Sequence, residues 1–206
     1  MSERSALENM LPSTEQGRLF WVDNFLTTGQ CRAIEQELRL VAWNRSLLWK
    51  GGEVSERSHR RVSLSAFETR FTSRLREILL DVDAQLTTLI PSFSQFREQW
   101  QATIYNRGGA FDLHLDSAYV AEEEAGNRVR SILLHIRAPI SGGQTQFPHL
   151  DTAVESVSGR LVVWKNLTED GQPDWEMLHA GAPVTLGQKI ILVTWIRERQ
   201  PSWRTS

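Results

Sequence analysis

Tyr105-Asn106-Arg107-Gly108-Gly109-Ala110-Phe111-Asp112-Leu113-His114-Leu115-Asp116 is the stretch whose reading decides the rest of the chain. It closes on His-x-Asp. In a strand, residues i and i+2 point to the same face. His114 and Asp116 can therefore offer an imidazole nitrogen and a carboxylate oxygen to one point. Those are two of the three ligands of a 2-His-1-carboxylate facial triad, a set that leaves open positions on a non-haem iron. The rest of the chain has to be searched for the third.

Working outward, the 206 residues are 40% apolar with a net charge of -2, enough for one domain with a sizeable core. The mixed charge gives no electrostatic case for nucleic acid or an acidic membrane surface. One cysteine, Cys31, excludes an intrachain disulfide and reads as a buried helix thiol. No apolar run approaches the ~20 residues that span a bilayer. Met1-Ser2-Glu3-Arg4-Ser5 lacks the layout of a signal peptide, so a soluble, cytoplasmic protein is expected.

Upstream of the opening stretch, residues 1–17 are polar and expected to be flexible. Leu19-Phe20-Trp21-Val22 reads as a strand, and Thr27 or Thr28 as a helix N-cap. Cys31, Ile34, Leu38 and Val41 recur at helical spacing and predict an amphipathic helix ending near Trp43. Residues 51–61, with Gly51-Gly52 and a run of charges, read as a loop that could serve as a lid. A second helical stripe runs from Phe71 to Ile90, and Pro91 stops it. From residue 99 the pattern becomes short strands: 99–105, 129–137, 161–164, 183–186 and 189–196. Helices followed by closely spaced strands predict a single α+β domain with a β-sandwich core. Residues 18–98 supply helical support and the lid region, and 99–197 the β-core.

Five histidines compete for the remaining ligand position: His59, His114, His135, His149 and His179. His179 stands out because it precedes Ala180-Gly181-Ala182-Pro183-Val184 and, ten residues on, Lys189. Lys189, Ile191, Val193 and Trp195 share one strand face, and Ile190, Leu192, Thr194 and Ile196 the other. A strand so apolar on both faces is buried. A lysine at the start of its inward face needs a partner, since an unpaired buried charge is costly. A ligand carboxylate would be that partner; the alternative is a lysine reaching solvent at a strand end.

Ordered motifs now accumulate. Tyr105-x-x-Gly108-x-x-Phe111-x-x-His114-x-Asp116 is followed by Arg128-x-x-Ser131 and Gly142-Gly143-Gln144-Thr145-Gln146-Phe147-Pro148. Then come Gly159-Arg160-Leu161-Val162-Val163-Trp164-Lys165-Asn166 and His179-x-Gly181-x-Pro183-Val184-x-x-Gly187-x-Lys189. In this order the chain resembles the prolyl 4-hydroxylase type of Fe(II)/2-oxoglutarate-dependent dioxygenases over about residues 99–197. The resemblance implies a double-stranded β-helix, a jelly-roll or cupin-like barrel with the N-terminal helices on its major sheet. It implies His114, Asp116 and His179 as iron ligands. It implies Lys189 on the distal carboxylate of 2-oxoglutarate, assisted by the hydroxyls of Tyr105 and Thr145, and it turns Trp195 and Arg128 toward the primary substrate. Phe111, His135 and Arg197 join that substrate group as candidates.

The activity implied is hydroxylation of an unactivated C–H bond of a prolyl, peptidyl or amino-acid substrate. Fe(II), 2-oxoglutarate and O2 are consumed or held, succinate is formed, and ascorbate is a candidate reductant. A small-molecule hydroxylase and a non-catalytic metal-binding jelly roll are the alternatives. Three departures stand out. Phe111 occupies a position where many relatives carry tyrosine, Gln144 stands for glutamate, and His135 and Arg137 stand for tyrosine and asparagine. Asp116 is kept, which argues for a hydroxylase over a halogenase.

Overall fold

The computed structural model describes residues 18–50, 53–55, 61–117 and 125–201. The chain enters on β1 (Leu19–Val22) and begins α1 (Thr28–Leu38) at a capping box. Thr27 Oγ1 accepts the Gln30 backbone N–H at 3.2 Å, and Gln30 Oε1 accepts that of Thr27 at 2.9 Å. Periodicity carries this helix toward Trp43, but it ends at Leu38. The N–H groups of Arg39, Leu40 and Val41 turn to carbonyls three residues back, and the Trp43 indole N–H caps Leu38 O at 3.2 Å. Next come β2 (Asn44–Arg45), β3 (Leu48–Lys50), β4 (Glu53–Ser55) and β5 (Leu64–Phe67). Most of the expected lid, and all of residues 1–17, lie outside the described residues. Thr72 caps α2 (Ser73–Leu89), accepting from the Leu75 N–H at 3.0 Å; α3 (Phe93–Phe96) is one short turn.

The β-core contains β6 (Gln101–Tyr105), β7 (Phe111–His114), β8 (Arg128–Arg137), β9 (Ser141–Gly142) and β10 (Thr145–Phe147). It continues with β11 (Thr152–Val154), β12 (Leu161–Lys165), β13 (His179–Gly181), β14 (Val184–Leu186) and β15 (Lys189–Arg197). The major sheet runs β1-β12-β8-β15-β6-β5-β2, and the minor sheet β11-β10-β13-β7. Every pairing within these two sheets is antiparallel.

Strand alternation divides the apolar residues into two layers. On β8 and β12, Ile132, Leu134, Ile136, Leu161 and Val163 face outward onto Ile34, Leu38, Leu75, Leu79, Val82 and Leu86 of the helices. Leu133, Val162 and Trp164 face inward with Phe147, Val154 and Met177, between the sheets. β15 follows the same rule, with Ile190 and Leu192 toward the helices and Ile191 inward. The helical layer is fastened by a buried ionic group. Arg97 bridges Asp83 of α2 and Glu68, and the Trp100 indole N–H donates to Asp83 at 2.9 Å.

Candidate active site

His114 ends β7 and His179 opens β13, and the two are Cα partners across the minor sheet. Their ring centroids are 4.3 Å apart. Asp116 completes the group: its Oδ1 is 3.6 Å from His114 Nε2 and its Oδ2 is 3.7 Å from His179 Nε2. One donor atom from each of the three falls within 4.8 Å of the others. Asp116 does not reach this point by strand alternation, because β7 ends at His114 and Asp116 sits in the bend beyond it.

The donor set suits a divalent cation. His114 Nδ1 lies 2.8 Å from Asp112 O, and His179 Nδ1 lies 3.0 Å from Met177 O. A carbonyl only accepts, so both Nδ1 atoms carry hydrogen and both Nε2 lone pairs face Asp116. Burial and the neighbouring His179 hold His114 below its usual value, which keeps it neutral. Burial works to raise Asp116, but the two histidines, Arg128 and the Ser131 hydroxyl bring it below the usual carboxylate range. A neutral imidazole beside an ionised carboxylate is the protonation state that binds a metal.

These groups open into a cleft of about 510 Å³, part of it solvent. At its closed end is Lys189, 3% exposed, whose Nζ donates to Gly143 O at 2.6 Å. The lysine therefore does not reach solvent. No carboxylate among the described residues pairs with it, and burial pushes it down to about 8. Tyr105 and Thr145 line the same end, and burial raises the Tyr105 phenol, which stays a hydrogen-bond donor. Gly142 and Gly143 make the turn that presents the Gly143 carbonyl, at φ of 76° and 78°. Lys189, Ile191, Val193 and Trp195 line the cleft from one face of β15, as their alternation implied.

Toward the mouth, the Phe111 ring stacks on His114, centroids 3.7 Å apart and 18° from parallel. Arg61 covers the other side of Phe111, its Cζ 4.7 Å from the ring centroid. Arg61 hydrogen-bonds to Ser63 and Ser65 at 3.3 and 3.4 Å, and the Tyr105 hydroxyl and the Asp116 carboxylate also favour its charge. Burial lowers its pKa. Sequence reasoning saw Arg61 only as one charge in a basic run; its bridge to Phe111 across the sheet is what brings it inward. Trp195 lines the cleft, and Arg128 lies 3.6 Å over its ring, held by Glu98 through contacts of 2.6 and 2.8 Å. Arg197 also binds Glu98, at 2.5 Å, and does not line the cleft. Neither does His135, fully buried beside β15 with no hydrogen-bond partner for either ring nitrogen among the described residues.

A sequence model of the 2OG-Fe(II) oxygenase superfamily matches residues 100–197, the span that carries all three triad residues and Lys189. That span belongs to the superfamily. Among curated proteins, it is 38% identical over 108 residues to prolyl 4-hydroxylase subunit alpha-2 of Caenorhabditis elegans, covering 50% of this chain and 20% of that protein. It is 32% identical over 159 residues to subunit alpha-1 of Homo sapiens, covering 72% of this chain and 28% of that protein. The chain thus spans less than a third of the length of these relatives. The fold matches that of a viral collagen prolyl hydroxylase of Paramecium Bursaria Chlorella virus-1 in complex with 2OG. The TM-score is 0.68 at 22% identity, covering 90% of this chain and 99% of that one. It also matches a Trichoplax adhaerens prolyl hydroxylase in complex with a hypoxia inducible factor peptide fragment. There the TM-score is 0.70 at 16% identity, covering 95% and 91%. These neighbours share the double-stranded β-helix of the superfamily, and the sheet orders above are this chain's version of it.

Proposed function

We propose that this protein is an Fe(II)- and 2-oxoglutarate-dependent hydroxylase acting on a prolyl residue of a peptide. The observation that carries the reading is a single cleft with a metal-binding triad in its wall and an unneutralised buried ammonium at its closed end. A dicarboxylate that chelates a metal through one end and meets an ammonium with the other fits that pair of features. His114, Asp116 and His179 would hold the iron, and Lys189, Tyr105 and Thr145 the distal carboxylate. With the oxo-acid and O2, the iron supplies the oxidising chemistry, coupled to loss of CO2 and formation of succinate.

This chain's residues bind, orient and exclude. His114, Asp116 and His179 would hold the metal from the wall of the cleft, whose remaining space would be left to the co-substrate. Tyr105, Leu133, Trp164 and Ile191 close the cleft against bulk water around the oxo-acid. Arg61 and Trp195 border the target position: a guanidinium can donate to a peptide carbonyl and an indole face can pack on a pyrrolidine ring. A peptide is favoured over a free amino acid by the relatives, and a free carboxylate on Arg61 is the rival arrangement. A cytoplasmic setting is part of the proposal, supported by the single buried thiol, Cys31. So is ascorbate as a reductant that restores Fe(II).

The test is a mass-spectrometric assay of proline-containing peptides and free proline with Fe(II), 2-oxoglutarate and ascorbate. The expected outcome is a +16 product on peptide with matching succinate. Oxidation of free proline alone would move the assignment to a metabolite hydroxylase. Absence of succinate under any condition would leave a metal-binding jelly roll.

A further inference from the structure

β7 ends at His114, so the sheet that places both histidines does not place the third ligand. Something else must hold the Asp116 bend. The Asp116 carboxylate accepts from Ser131 Oγ at 2.5 Å, and Ser131 in turn accepts from Asn166 Nδ2 at 2.9 Å. A primary amide nitrogen only donates, so it occupies a lone pair of the hydroxyl, whose one hydrogen goes to the nearer, charged carboxylate rather than to Asn166 Oδ1 at 3.2 Å. Asn166 grips the bend a second time, its backbone carbonyl accepting the hydroxyl of Ser117, the residue after Asp116, at 3.2 Å. Asn166 is itself fixed, its N–H donating to Val129 O at 3.0 Å and its carbonyl accepting from the Asp174 N–H at 2.9 Å. Ser131, Asn166 and Ser117 are 0%, 2% and 1% exposed, so water does not compete for these bonds.

We infer that Asn166 and Ser131 are positioning residues that dedicate one oxygen of Asp116 to the protein, so that the carboxylate meets a metal through the other. The inference rests on the metal reading of the triad. Its consequence is a coordination number. A carboxylate free of Ser131 can turn and chelate with both oxygens, closing a position that the co-substrate or oxygen needs. Ser131 lies on the inward face of β8 with Leu133, which gives a hydroxyl beside the Ile132-Leu133-Leu134 run a reason to be there. Asn166 follows β12, whose register against β8 brings Trp164 opposite Ser131 and the amide one step beyond.

The test uses the full chain and Co(II), whose visible absorption reports both occupancy and coordination number. Ser131→Thr and Ser131→Val share a shape and differ in the hydroxyl, so their comparison reads the hydrogen bond apart from packing. Ser131→Ala repeats the comparison with less volume if the valine variant does not fold. The threonine variant is expected to keep wild-type affinity and spectrum. The valine or alanine variant is expected to bind about ten- to a hundredfold more weakly, with altered band intensities. Equal affinity and spectrum for threonine and valine (or alanine) would overturn the inference while leaving the metal site intact. Failure of the wild-type chain to bind Co(II) at all would overturn the metal reading and this inference with it.

Discussion

Lys189 is a residue whose burial works against stability. Its ammonium is buried against a carbonyl and pushed down from a usual 10.5 to about 8. Between those two values the unfolded chain holds the proton and the folded chain does not, so stability rises with pH across that window. Below it both states are protonated and the folded state bears the whole cost, on the order of 3 kcal/mol at ~1.4 kcal/mol per unit. Lys189→Met should therefore stabilise the ligand-free protein at pH 7, with the gain shrinking toward zero as pH approaches 10.5. Thermal melts across pH 6.5–10.5 check this, and a variant no more stable than wild type at pH 7 would contradict it. The same variant should bind 2-oxoglutarate about ten- to a hundredfold more weakly, since a charge-assisted hydrogen bond is worth about 1.5–3 kcal/mol. Calorimetry with a redox-inert divalent metal reads that directly. A stabilising substitution that removes binding is what a functional, energetically unfavourable lysine predicts.

At the scale of elements, the Gly142-Gly143 turn ahead of β10 builds the closed end of the cleft. It carries the carbonyl that Lys189 uses and leads directly to Thr145. A Cβ on Gly142 would lie 2.2 Å from Pro183 O, a backbone atom that cannot step aside. Gly142→Ala should cost about 1–2 kcal/mol for the left-handed backbone alone, with the overlap adding to it. It should also weaken 2-oxoglutarate binding while leaving metal affinity within about twofold, because the triad sits on β7, β13 and the bend after β7. Urea unfolding and paired metal and co-substrate titrations check both halves. Loss of metal binding in a folded variant would show the closed end and the triad to be one unit.

At the scale of the molecule, His114, Asp116 and His179 lie on the minor sheet and the bend after β7, on the far side of the major sheet from the helices and the outer core. A bound cation should therefore stabilise the native chain by mass action without being required for folding. At a hundredfold excess over its dissociation constant the gain is about 2.7 kcal/mol. Melting with and without Mn(II) is the measurement; His179→Ala should fold and lose the shift. An unchanged shift in that variant would remove His179 from the site.

By itself the sequence determined the parts whose physics is local or repeats along the chain. Helical spacing from Phe71 to Ile90 was legible because one face of that helix is buried, and the apolar runs of β8, β12 and β15 because most of their residues are. Lys189 was legible because a charge on such a strand has to be explained. The ordered motifs singled out His114, Asp116 and His179, and these three side chains converge, Asp116 from a bend rather than from the strand. Only the tertiary structure decided the rest. β10, β11 and β13 have three residues each, too few to leave a periodic signal. Arg61 looked like any solvated arginine until its pairing with Phe111 turned it inward. Arg197, a substrate candidate from the sequence, pairs with Glu98, 99 residues away in sequence, which no local pattern announces. The hold of Asn166 on Asp116 also joins distant segments. Such contacts depend on which strands become neighbours and in what register, and that is set by burial of the whole core.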